Sequence, residues 1–459
     1  MANHHHLPDP RENKLGVMPV GKLLFSMATP MILSMLVQAL YNIVDSIYVA
    51  QISENAVTAL SLAFPIQNLQ IGGATGIAVG VNALLSKSLG QGNRDRANRA
   101  AGNGFFLVMI LVAVFMIFGF VGVRPYYEMQ SDVEEIVEGG IAYSSICCIF
   151  TLGVYVSILC ERLLQATGRS VLTMVTQATG AVVNIILDPV FIFGFGPIPA
   201  MGIAGAAIAT VIGQFCGAGL GLVLNLKCNK DIRLGFRFMK PLKDVIGPVL
   251  TVGIPSMIMM AIGSIMNFGM NQIFLGFADV GNTAAGIFGI YYKLQSFFFM
   301  PLFGLNNATI SIVAFNFGAR RKDRITRTLK LALATAMGFM ILGLLAFQII
   351  PDLLLGLFNP SDTFLAMGRT ALKIISFHFP MAAVCIALGA SFQALGNGIY
   401  STITSLCRQL VVLLPAAWLL SMSGVVDRVW WAFPIAEVAS MTITLIFFAR
   451  IYRNKIANL

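Results

Sequence analysis

Twelve apolar stretches, each long enough to cross a bilayer as a helix, leave this chain few ways to fold. They cover approximately residues 22–50, 57–84, 101–122, 139–160, 171–195, 202–226, 247–277, 282–313, 329–350, 368–392, 402–422 and 428–450. In hydrocarbon every backbone N–H and C=O must be satisfied within the protein, so only helices or a closed barrel can span. These stretches are too long for barrel strands. Of the 459 residues 57% are hydrophobic and only 11% charged, whereas a soluble domain carries about 25% charged residues. The expected class is an all-α polytopic membrane protein with 12 transmembrane helices.

A net charge of +10 could point to nucleic acid, but the positions of the bases exclude it. Lys87, Arg94, Arg96 and Arg99 follow the second stretch; Lys227 to Lys243 follow the sixth; Arg320 to Lys330 follow the eighth. The alternate loops are acidic or nearly uncharged, with Asp132, Glu134, Glu135 and Glu138 after the third stretch, then Asp279, Asp352 and Asp362. Positive charge concentrates in cytoplasmic loops, so both termini are expected in the cytoplasm. From the polar start, with His4, His5 and His6, and a first apolar stretch too long for an h-region, no cleavable signal is expected. Seven cysteines lie in or beside apolar stretches, where they read as reduced packing residues.

An internal repeat divides the chain. Leu89-Gly-Gln-Gly-Asn-Arg-Asp-Arg96 recurs as Phe317-Gly-Ala-Arg-Arg-Lys-Asp-Arg324, and Leu164-Gln-Ala-Thr-Gly-Arg169 recurs as Phe392-Gln-Ala-Leu-Gly-Asn397 at the same separation. Pro30 and Pro255 hold nearly matching places. Six helices per repeat is an even number, so the halves share one orientation. The expected divisions are a cytoplasmic tail over 1–21, a first lobe over 22–226, a basic cytoplasmic linker over 227–246, a second lobe over 247–450, and a cytoplasmic tail over 451–459.

Ionisable groups inside a membrane are costly and mark functional sites by default. Asp45 ends a stripe of Gln38, Tyr41 and Asn42 at helical spacing, in a helix that Pro30 permits to bend. Asp188 lies four residues after Asn184, on the same helix face, just before Pro189. Counting about 1.5 Å per residue puts both acids in the outer half of the membrane, where they could share a proton or ligate Na⁺. The bland alternative is a structural hydrogen-bonded pair. Thr210 could add an oxygen or bond its own backbone four residues back, and the small residues from Gly202 to Gly213 permit a close helix approach.

In the second half, Lys293 and Glu437 are expected near mid-depth as a buried ion pair, either a structural clamp or part of a substrate site. Arg408 is expected to snorkel, and His378 to be a satisfied structural residue. The methionines from Met257 to Met270 and the run Phe297-Phe-Phe-Met300 could form a drug pocket or simply pack. No HExxH, P-loop or GxSxG motif occurs, so no enzyme is expected and transport would be driven by an ion gradient.

Pro30 before Asp45, the Gly90–Arg96 loop, Gln165-Ala-Thr-Gly168, the Asn184/Asp188-Pro189 set and the double six-helix repeat together resemble the MATE (multidrug and toxic compound extrusion) family, particularly its MepA-like and DinF-like bacterial branches. The resemblance implies V-shaped lobes in the bacterial cytoplasmic membrane. It implies export of organic cations or other amphipathic drugs against H⁺ or Na⁺, with no further cofactor. Asp45, Asn184, Asp188 and, with them, Thr210 would form the cation site, including a possible Na⁺ at Asp45, Asn184 and Asp188. NorM-like members carry acids in the seventh and tenth helices; here His378 stands instead, which concentrates coupling on the first lobe. The expected partners are small-molecule drugs and membrane lipids, with no nucleic acid, and the protein is expected to act as a monomer. A lipid-linked precursor flippase of the same broad superfamily is the alternative.

Overall fold

A computed structural model describes residues 13–358 and 361–459, apart from the side chains of Asn42, Ile43, Ser46, Ala50, Glu54 and Val57. His4, His5 and His6 lie outside the described residues. Ten helices are long and apolar enough to span, and two bent pairs bring the described spans to twelve. The first six are α1 (Val20–Ala50), α2 (Glu54–Gly90), α3 (Arg94–Val121), α4 (Glu134–Ile149 with Leu152–Ala166), α5 (Ser170–Phe193) and α6 (Gly202–Lys227). The second six are α7 (Lys243–Leu275), α8 (Gly281–Gly318), α9 (Lys322–Ile349), α10 (Asp362–Ser376 with Phe379–Ala394), α11 (Gly398–Ser421) and α12 (Ala432–Ile451). The bends are 48° in α4 and 45° in α10. They fall at corresponding places in the two halves, so the repeat read from loop motifs extends to helix shape. Large apolar side chains such as Ile117 (64% exposed) and Phe120 (70%) cover the outside, a surface suited to lipid rather than water.

The halves meet at the ends nearest the basic loops. Ser311 donates to Asn82 Oδ1 at 3.1 Å, and Ser86 donates to the same oxygen at 3.1 Å. Glycines allow the backbones to touch there. A Cβ on Gly80 would strike the Val249 carbonyl, and one on Gly318 would strike the Lys87 carbonyl. Close approach through small residues is how helices pack when lipid supplies no hydrophobic drive.

The linker is shorter and less free than the loop charges suggest. Asn103 of α3 donates to the carbonyls of Phe238 (3.1 Å) and Lys240 (3.2 Å) and accepts from Leu242 N at 3.0 Å. Both expected tails are also partly folded. Arg324 donates to the carbonyls of Leu15 (3.0 Å) and Met18 (2.7 Å), tying the start of the first half to the second. Lys455, in a π-helical turn after α12, donates to Leu395 O at 2.8 Å. Unpaired main-chain carbonyls at these ends supply the acceptors that hold them.

Replacing Gly80 by Leu should destabilise the contact between halves by about 1–3 kcal/mol, the usual cost of overpacking. The measurement is the thermal midpoint of the purified protein, and an unchanged midpoint would contradict the contact.

Candidate functional site

The small residues of α6 decide where the polar side chains of α5 and α6 meet. A Cβ on Gly213 would lie 2.6 Å from the Gly180 carbonyl and 3.1 Å from Asn184 Cβ, so only glycine permits this approach. With the backbones in contact, Asn184 Nδ2 reaches both Asp188 Oδ1 and Thr210 Oγ1, each at 3.2 Å. Thr210 therefore joins the site rather than turning only to its own helix.

Helix α1 packs along α5 and brings Asp45 to the same place, within electrostatic reach of Asp188. It runs as one helix through Pro30. Asp45 is 8% exposed, Asn184 2%, Thr210 6%, and Asp188 fully buried. Tyr41 is half-buried on the same side and Gln38 is exposed; the side chain of Asn42 lies outside the described residues. Among the described residues three buried oxygens at this site accept no hydrogen bond: Asp45 Oδ1, Asn184 Oδ1 and Asp188 Oδ2. Buried acceptors without partners are expensive, and together they form a set that a proton or a small hard cation could satisfy. Among the described residues no group of three or more His, Cys, Asp or Glu side chains is placed to hold a metal. The oxygens here come from two acids, one amide and one hydroxyl, a donor set that fits Na⁺ rather than a transition metal.

The second half departs from expectation. Lys293 does not pair with Glu437: it is exposed, on the face of α8 turned away from buried Tyr291 and Leu294. Glu437 of α12 instead faces Arg408 Nη1 at 3.5 Å and His378 Nδ1 at 3.6 Å. Arg408 does not snorkel to an end; it lies inside the π-helical stretch Cys407–Leu413 of α11. His378 sits at the break in α10, and its Nε2 is 2.9 Å from the Tyr291 hydroxyl. The buried ion pair was expected, but with the wrong base.

One buried acid escaped the sequence reading altogether. Glu161 of α4 accepts from Ser157 Oγ (3.2 Å) and Gln177 Nε2 (2.8 Å) and is 7% exposed. The signal was present, because Glu161-Arg162 falls at the end of the fourth apolar stretch, where charged residues need a partner.

The MatE family model matches this chain twice, over residues 30–190 and 255–419. The chain belongs to the MatE family. The two matches fall one in each half, and the first covers Asp45, Asn184 and Asp188 but not Thr210. MatE proteins are membrane transporters rather than enzymes, and this one is a multi-pass membrane protein. The FAD transporter of Shewanella oneidensis is 23% identical over 421 residues, 92% of each chain. The multidrug export protein MepA of Staphylococcus aureus is 23% identical over 430 residues, 91% of each chain. An outward-facing multidrug resistance MATE transporter of the MOP superfamily matches with a TM-score of 0.88 at 21% identity, over 99% of this chain and 98% of that one. A MOP superfamily transporter from Pyrococcus furiosus, described by the reverse polarity of its binding pocket, matches with a TM-score of 0.86 at 21% identity, over 97% and 96%. These structures share the fold of this MatE protein.

Two stability experiments check the geometry. Arg408→Gln strands a buried carboxylate and should destabilise by about 3–5 kcal/mol, whereas Arg408→Gln with Glu437→Gln should recover most of that loss. Thermal midpoints of both variants read the difference; equal losses would contradict the pairing. Gly213→Leu should force α5 and α6 apart and abolish transport while the protein still reaches the membrane, as read by dye export and surface quantification.

Proposed function

We propose that this protein is a secondary active multidrug efflux antiporter, exporting organic cations and other amphipathic compounds in exchange for H⁺ or Na⁺. Asp45 and Asp188 are the coupling groups, with Asn184 and Thr210 positioning them. One observation carries this reading: two carboxylates from different helices are buried together while acceptor oxygens of both, and of Asn184, lack hydrogen bonds among the described residues. A site left short of positive charge has a strong reason to take a proton, a metal cation or a cationic drug, but not all at once. Competition of that kind couples two fluxes, because each ligand favours a state that the other disfavours.

The basic loops and both termini lie in the cytoplasm, in a monomer of the bacterial cytoplasmic membrane. Contact between the halves at the basic end then corresponds to a state closed to the cytoplasm. The polar site, nearer the acidic loops, is the part that faces outward. Relatives named both as multidrug exporters and as an FAD transporter support a broad amphipathic substrate class. A lipid-linked precursor flippase is the competing reading. It calls for several bases around its cavity to hold a pyrophosphate. Among the described residues lining the second-half cavity, Arg408 is the only Lys or Arg.

Asp45→Asn should abolish growth protection against cationic dyes while the variant is made and inserted at the wild-type level. Full protection by that variant would remove Asp45 from the mechanism.

A further inference from the structure

The second half encloses a cavity of about 470 Å³, walled by α7, α8, α10, α11 and α12. Met260, Met266, Phe299 and Phe303 give it broad, polarisable apolar walls, and Gln295 and Gln409 supply amide edges. Its charged groups are Arg408 and Glu437, with His378, Tyr291, Tyr292 and Cys385 as the further titratable groups on its wall.

The two charges are not equally available. Glu437 has a side chain 5% exposed and faces both Arg408 and His378, so its charge is enclosed and matched. Arg408 has a side chain 26% exposed. A guanidinium carries five N–H donors, and the 3.5 Å contact to Glu437 is the hydrogen bond that Arg408 makes among the described residues. A cation entering the cavity would have to displace Arg408 from Glu437. An anion would only have to meet donors that already face it. Arg408 is carried by the π-helical stretch Cys407–Leu413, a wide turn of the kind frequent at functional sites.

We propose that this cavity is a binding site for an aromatic organic anion, whose carboxylate, sulfonate or phosphate is held by Arg408 while its ring system packs on the methionine and phenylalanine walls. Guanidinium matches the geometry of such oxyanions with two parallel hydrogen bonds. The site is distinct from the first-half carboxylates and does not rest on their coupling role. Binding measured without any gradient therefore separates failure of this proposal from failure of the antiport reading.

The test is calorimetric titration of the full chain in zwitterionic nanodiscs with naphthalene-2-sulfonate and, in parallel, with 2-naphthylmethylammonium. The anion should bind at least about tenfold more tightly than the cation, the margin expected of a charge-assisted pair. Arg408→Gln with Glu437→Gln, which removes both charges together, should weaken the anion by about tenfold or more. A Cβ at Gly389 meets nothing within 4 Å, so Gly389→Phe can fill the cavity without backbone strain and should abolish binding. A cation bound as tightly as the anion would overturn the proposal. So would anion affinity unchanged in either variant, or no binding to the wild-type chain.

Discussion

A carboxylate surrounded by hydrocarbon has to find partners inside the protein, and the first half is assembled so that two carboxylates compete for too few. Asn184 offers one NH₂ group, which it divides between Asp188 and Thr210. Asp45 arrives from another helix and keeps an oxygen unmatched among the described residues. Backbone contact positions the α5–α6 part of this cluster. Gly180 and Gly213 let α5 and α6 touch, and α1 lies along α5. Side-chain chemistry at the site therefore depends on residues that have no side chain.

The two halves share a helix plan and differ in how they handle buried charge. In the first half, acids meet neutral donors, which leaves room for a cation from outside. In the second half, Glu437 already has a guanidinium and an imidazole beside it. An acid with a resident partner is a poor place for an exchangeable ion, because breaking a buried pair costs several kcal/mol. Symmetry of fold thus coexists with a division of labour. On the proposed reading the first half exchanges a cation, and the second recognises a different charge.

Much of this was legible in the chain. Asp45, Asn184 and Asp188 stand out because a polar residue in an apolar helix is conspicuous and helical spacing states which ones share a face. The twelve spans and the repeat were equally plain, since length and loop charge carry them. Azimuth was not. Hydropathy gives the depth of Lys293 but not its direction, and a helix turns about 100° per residue. Two residues beyond buried Tyr291, its side chain faces outward. Arg408 was misplaced for a related reason: a π-helical turn shifts the register, and nothing in Cys407–Leu413 announces one. The folded tails were hidden as well, because their acceptors are backbone carbonyls, which every residue has.

The first-half carboxylates are proposed to exchange a cation for a substrate. Dye efflux from reconstituted vesicles, with proton and Na⁺ gradients imposed separately, tests that exchange most directly. Efflux driven by at least one of the two gradients, and lost in vesicles carrying Asp188→Asn, is the predicted result. Efflux that neither gradient drives, or that persists unchanged without the Asp188 carboxylate, would contradict it.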